Sequence, residues 1–199
     1  MASADARERI IAAAERLIAE HGPDVPLRDI ATAAGQRNNS AVQYHFGSRD
    51  GLIDAVAQHR IADLEQHRLE LLTASEAAGE AQDVRALVSA LVVPMLTVPY
   101  EHGATHYARF LDRVRTHPAL AADTNLDRAG RAAVRLIIMR LDRALGDVPP
   151  AVRRRRLRVL PTVLFALLAD RERGLPHDAP HSASELVDLV VGMLTAPVS

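Results

Sequence analysis

The 199-residue chain has no cysteine, no tryptophan and no lysine, and aromatic residues make up only 3% of it. Without cysteine there can be no disulfide, no thiolate nucleophile and no cysteine-ligated zinc. With so few rings, a core has to be built from Leu, Val, Ile and Ala, side chains that suit helices packed closely on one another. The apolar fraction of 48% is enough to bury such a core, so wholesale disorder is excluded. No apolar run reaches the roughly 20 residues needed to cross a bilayer. The first ten residues, MASADARERI, lack the basic start and apolar stretch of a secretory signal. The expected location is the cytoplasm, with no membrane partner.

Excess charge of either sign is also missing: 24 basic residues face 25 acidic ones, a net charge of −1. That balance excludes a polybasic tail or a protein that coats nucleic acid by charge alone, but it permits a local basic or polar face. Because every basic residue is Arg, phosphate contacts would have to come from Arg, polar side chains or backbone N–H groups. Glycines are scattered at helix ends and form no phosphate-cradling loop. No Ser-His-Asp arrangement stands out from chance. The chain therefore reads as a non-enzyme, with no cofactor expected.

What is present is helical periodicity, with no convincing strand and no internal repeat. Ile10, Ala14, Leu17 and Ile18 share one stripe of a first helix over residues 7–21, stopped by Gly22-Pro23. Pro26 begins a second, carrying Leu27, Ile30, Ala31 and Ala34 and ended by Gly35. A polar stretch, Gln36 to Ser40, leads into a short segment closing at Phe46. Gly47 breaks it, and Ser48 is placed to cap one longer helix through Ile53, Ala57, Ile61, Leu64 and Leu71. Residues 73–82 read as a connection. Further stripes follow: Val84 to Met95, with Pro94 expected to kink it; Tyr107 to Val114; and Val134 to Leu145, with Thr124 and Asp127 as a capping box. The last two are Val152 to Leu168 and Leu186 to Leu194, the latter opened by a Ser182/Glu185 capping box.

The middle segments are too short to persist alone in water, so they must pack on others, as in a helix-turn-helix unit. Residues 37–45 suit the reading helix of such a unit. Asn and Gln can pair with adenine edges, Arg with guanine, and Ser with either. Val42 and Phe46, four apart, would anchor the segment to the core.

The stretch from Asp29 to Val56, DIATAAGQRNNSAVQYHFGSRDGLIDAV, resembles the signature of TetR-family regulators. The matching features are Ala34-Gly35 at the end of a short helix, Tyr44-His45-Phe46 closing the recognition helix, then Arg49 and Leu52. The resemblance implies an all-α protein with an N-terminal helix-turn-helix domain of homeodomain-like three-helix form, residues 1–50. Residues 51–199 would be a helical effector-binding and dimerisation domain. It implies a DNA-binding transcriptional regulator, a repressor released from a palindromic operator by a small-molecule effector of unknown identity. It also implies a homodimer formed through the last two helices. The alternative is a helical small-molecule sensor without DNA recognition.

Carried over by position, the resemblance implies phosphate contacts from Tyr44, His45 and Arg49, with Arg49 supplying a fork where Lys is commoner. Arg37, Asn38, Asn39, Ser40 and Gln43 fall where the family approaches base edges, and Arg28 could touch the backbone. Two departures stand out. The turn from Gly35 to Phe46 is one residue longer than the commonest spacing, which leaves open which of Arg37, Asn38 and Asn39 caps the helix. Pro26 stands where a capping Ser or Thr is usual and cannot supply a hydroxyl. Between Arg28 and Arg49 there are three Arg and one Asp, so the basic surface is small and a shallow salt dependence is expected.

For the effector, helical position points to Leu91, Met95, His102, His106, Tyr107, Phe110 and Met139 as pocket lining. His102 and His106 have the i, i+4 spacing of a metal pair, but two His alone are a weak signal, so no metal is expected. The run Arg153 to Arg156 points all round its helix and reads as a solvated helix start, with one or two of the four in ion pairs.

Overall fold

The structure is a computed structural model, and it describes residues 2–36, 40–97, 105–120, 130–174 and 182–198. The described residues are helical and contain no strand. In chain order the helices are α1 (Ala2–His21), α2 (Leu27–Ala33), α3 (Ser40–Phe46), α4 (Arg49–His59), α5 (Ile61–Ala77) and α6 (Val84–Thr97). Then come α7 (Tyr107–Val114), a 3-10 turn (Pro118–Leu120), α8 (Ala132–Ala144), α9 (Pro150–Arg173) and α10 (Ala183–Thr195). Two compact units result, Met1–Ile61 with Tyr100–Asn125, and Ala62–Pro99 with Leu126–Ser199.

The first unit holds α1 to α4 and α7. Its core is formed by Ile10, Ile11 and Ile18 of α1, Ile30 of α2, Val42 of α3, Leu52, Ile53 and Val56 of α4, and Tyr107 and Phe110 of α7, all buried. Burial of each such side chain is worth about 1.5–3 kcal/mol, which is how helices of only seven residues persist here. A hydrogen-bonded pair of turns closes α2: Gly35 N–H donates to Thr32 O at 3.0 Å and Gln36 N–H to Ala31 O at 2.9 Å. That is a Schellman motif, which needs the left-handed φ of +69° that Gly35 adopts. At the other end of the reading segment Gly47 has φ +70°, and Ser48 Oγ accepts Gly51 N–H at 3.0 Å to start α4.

The single helix expected from Ser48 through Leu71 is interrupted. Arg60 leaves the helical ladder at φ −103°, ψ 0° and separates α4 from α5. No Gly or Pro marks the break. Its cause is tertiary: the buried Arg60 donates from Nη1 to Thr105 Oγ1 at 2.9 Å, and its guanidinium lies over the Tyr107 ring, 5.4 Å from the centroid. Farther along, Leu72 rather than Leu71 is buried.

The second unit packs α5, α6, α8, α9 and α10. Leu64 and Leu72 of α5, Leu87, Val88 and Leu91 of α6, Ile137 and Leu141 of α8, Leu160, Leu164 and Leu168 of α9, and Leu186, Val190 and Leu194 of α10 form its core. Helix α6 continues through Pro94 to Thr97. Ser182 Oγ accepts Glu185 N–H at 3.1 Å, as its capping-box spacing requires. Helix α8 has no cap of its own at Arg131. Instead Glu65 of α5, buried beside Arg68, accepts Ala133 N–H at 2.7 Å. The Thr124/Asp127 capping box lies outside the described residues. Of the arginine run, Arg153 pairs with Asp142 at 2.8 Å, and Arg156 donates to Leu194 O and Ala196 O, closing the carboxyl end of α10. Arg154 and Arg155 are exposed.

Candidate nucleic-acid interface

Helices α2 and α3 meet α1 and α4 in the first unit, and α3 is anchored through the buried Val42. Anchoring at that position turns Ser40, Gln43 and Tyr44 outward. Tyr44 is 83% exposed, the most exposed large hydrophobic side chain among the described residues. Its ring meets that of His45 edge-on at 5.1 Å, and His45 is tilted against Phe46 at 6.0 Å. An aromatic hydroxyl presented to solvent on a helix of this kind can donate to a phosphate oxygen. The exposed amide of Gln43 donates to Gly47 O, closing the end of α3, so its Oε1 is the edge left to accept from a base.

The other expected positions divide. Arg28 on α2 is exposed and lies 3.3 Å from Asp29, a surface pair that a phosphate could replace. Arg37, Asn38 and Asn39 lie outside the described residues, and with them the question of which one caps α3. Pro26 precedes α2 with φ −58° and no side-chain cap. Arg49 is committed locally: its Nη1 donates to Pro23 O and Val25 O, both at 2.6 Å, tying the start of α4 to the turn between α1 and α2. One more cation is present that sequence reasoning missed. The guanidinium of Arg7 lies over the Phe46 ring, 5.4 Å from its centroid, at the end of the reading helix. Nothing local in the sequence signals it, because the two residues are brought together only by the packing of α1.

The expected pocket residues fall in both units. In the first, Tyr107 and Phe110 are stacked core side chains, 6.3 Å apart, with the Tyr107 hydroxyl donating to Ala57 O at 2.7 Å. His106 precedes α7, with its N–H on Glu15 and its Nδ1 paired with Arg109. In the second, Leu91 is buried, Met95 half-buried and Met139 59% exposed. His102 lies outside the described residues. No group of three His, Asp or Glu gathers to hold a metal among those described.

Residues 10–56 match the family model described as "Bacterial regulatory proteins, tetR family". The match takes in less than half of the chain and falls on its amino-terminal helices, which are similar in sequence to that family. It covers α2, α3 and most of α1 and α4, the four helices around the exposed face. Over 122 residues the chain is 32% identical to the HTH-type transcriptional dual regulator CecR of Shigella flexneri. The alignment takes in 58% of this chain and spans only about half of that relative's length, 54%. Among solved structures the chain is similar to NalD of Pseudomonas aeruginosa, described as the secondary repressor of a multidrug efflux pump. The TM-score is 0.54, with 22% identity and 96% of each chain covered, a likeness of fold. No helix among the described residues is long and apolar enough to cross a membrane.

Proposed function

We propose that this chain is a cytoplasmic, sequence-specific transcriptional regulator of the tetR family, a repressor that a small-molecule effector releases from a palindromic operator. The observation that carries the reading is the division of α3: Val42 is buried while Ser40, Gln43 and Tyr44 stand in solvent on a helix bracketed by Gly35 and Gly47. Residues 1–50 are taken as the DNA-reading domain and the remainder as the domain that senses and dimerises. One seven-residue helix reads too few base pairs for useful specificity. Two copies related by a two-fold axis, with reading helices about 34–36 Å apart, match one turn of DNA. Helices α9 and α10 are the proposed dimer face, supported by the exposed apolar side chains of Val159 and Leu189. An effector that binds one separation of the reading helices better than another shifts the population and with it the DNA affinity.

A helical sensor without DNA recognition is not favoured, because the family match falls on the reading helices themselves. The test is a gel-retardation assay of the purified chain on the DNA upstream of its own gene. Retardation is expected at low salt and is lost when Ser40, Gln43 and Tyr44 are replaced together by Ala. No retardation by the folded wild-type dimer at low salt would sink the reading.

A further inference from the structure

The second unit carries a charge asymmetry that DNA reading by α3 does not use. Between Arg135 and Arg158 the sequence has eight Arg and two Asp, in a chain whose net charge is −1. Three of the eight are occupied. Arg140 pairs with Glu76, Arg153 with Asp142, and Arg156 caps the end of α10. The other five, Arg135, Arg143, Arg154, Arg155 and Arg158, are exposed and have no hydrogen-bond or ion-pair partner among the described residues. On their own they would be a solvated surface. One of them, Arg143, borders a concavity, however: a groove of about 660 Å³ between α8 and α9, lined by Ile138, Met139, Asp142, Arg143, Arg153 and Leu157.

We propose that this groove binds an anionic amphiphile, a molecule with one apolar chain or ring system and one carboxylate or phosphate head. Its volume falls within the ~300–1,000 Å³ of small-molecule sites. Ile138 and Leu157 give it an apolar floor, half-buried, and the unbranched Met139 stands 59% exposed at the edge, free to fold over a ligand of irregular outline. The head group has two cations to meet. Arg153 is pre-set, with Nε donating to Asp142 Oδ1 at 2.8 Å and Nη1 to Leu145 O at 3.5 Å, which leaves Nη2 for a ligand. Arg143 is uncommitted and can form a fork with a carboxylate or phosphate. The unpaired arginines elsewhere on α8 and α9 add positive charge to the same two helices, which favours the approach of anions.

The lining favours a single molecule over a bilayer surface. Interfacial binding needs several apolar side chains that reach outward. Among the groove's lining residues only Met139 does, and its exposed neighbours along α8, Arg135 and Arg143, are charged.

The proposal is independent of DNA recognition and is tested on the intact chain by titration calorimetry with decanoate as a dissolved monomer. One saturable site per chain is expected. The uncharged 1-decanol should bind at least roughly tenfold more weakly, the factor that one charge-assisted hydrogen bond supplies. Arg143→Glu and Met139→Ala, both at exposed positions, should each weaken decanoate while leaving the thermal melt unchanged. Arg155→Glu makes the same charge change outside the groove and should leave the affinity within about twofold, since a screened surface charge acts weakly at a distance. The proposal is overturned by absence of saturable heat, by equal binding of decanol, or by full decanoate affinity in Arg143→Glu, which would put the ligand elsewhere. Equal losses in Arg143→Glu and Arg155→Glu would also overturn it, as would binding only to phosphatidylglycerol vesicles.

Discussion

Glu15 of α1, 0% exposed, accepts the backbone N–H of His106 at 2.9 Å, immediately before α7 begins. Helix α7 has no side-chain cap of its own at His106, so a carboxylate ninety-one residues away in sequence takes that part. Around it, Thr105 Oγ1 receives Arg60 Nη1 and accepts Tyr107 N–H at 3.2 Å, and the Tyr107 hydroxyl reaches Ala57 O. The amino end of α7 is thus held by polar contacts to both α1 and α4. Glu15→Ala leaves a part-buried N–H without its acceptor and should cost about 1–3 kcal/mol of stability. Glu15→Gln keeps an acceptor oxygen and should recover part of that loss. Urea denaturation of the two variants checks the difference; equal stability of Ala and Gln would show that the hydrogen bond carries little.

Arg49 separates two roles that the sequence merged. The family signature implies a phosphate contact, and the structure adds bonds from the same Nη1 to Pro23 O and Val25 O at 2.6 Å. Hydrogen bonds from a charged donor are worth about 1.5–3 kcal/mol each when well buried, and this side chain is half-exposed. Arg49→Ala should therefore lower stability by about 1–2 kcal/mol as well as weaken DNA binding. Thermal unfolding without DNA is the measurement that matters, and an unchanged melt would return Arg49 to a purely DNA-facing role.

The legible part of this fold was the part written at short range. The Schellman glycine at Gly35, the Ser48 and Ser182 caps and the stripe of Ile30 and Ala31 are local patterns with a period of 3.6 residues, and each appears where its spacing puts it. The break at Arg60 was not legible, because a contact to Thr105 forty-five residues away makes it. The same holds for Arg7 on Phe46 and for the two buried glutamates that cap α7 and α8 from other helices. Tyr107 and Phe110 show the limit from the other side: helical periodicity tells that a side chain faces inward, but not whether a neighbour or a ligand fills the space beyond it.

Gly51 makes a different kind of prediction. It lies in the first turn of α4, and a Cβ built there would overlap the carbonyl oxygen of Phe46, the last residue of α3. The obstacle is backbone, which cannot swing aside as a flexible side chain would. In an ordinary helix Gly→Ala stabilises by about 1 kcal/mol. Here Gly51→Ala should reverse that sign, destabilising by roughly 1–3 kcal/mol as α3 is pushed off its seat. The displaced helix would also present its side chains wrongly, so DNA affinity should fall further than stability alone accounts for. A stabilised Gly51→Ala variant would mean that α3 and α4 are not this close.

Tyr44 offers the cleanest separation of function from folding. Its side chain is 83% exposed and its ring contact among the described residues is with its neighbour His45, so Tyr44→Phe should leave the melting temperature unchanged, as surface substitutions usually shift stability by less than about 0.5 kcal/mol. If the hydroxyl donates to a phosphate, its loss removes a charge-assisted hydrogen bond of about 1.5–3 kcal/mol, a weakening of tenfold or more on each half-site. Because that bond goes to the DNA backbone rather than to a base, operator and unrelated sequence should weaken by the same factor, leaving the specificity ratio intact. Gln43→Ala should do the opposite, narrowing the gap between operator and unrelated DNA through loss of a base contact. Fluorescence anisotropy on both duplexes, repeated across a salt series, measures affinity and ratio together. The slope of log K against log salt should be shallow, since only Arg28 and Arg7 on the described part of this face are free of backbone carbonyls, and each neutralised phosphate contributes only about −0.9 to it. A steep slope, or a Tyr44→Phe loss confined to the operator, would move the phosphate contacts away from α3.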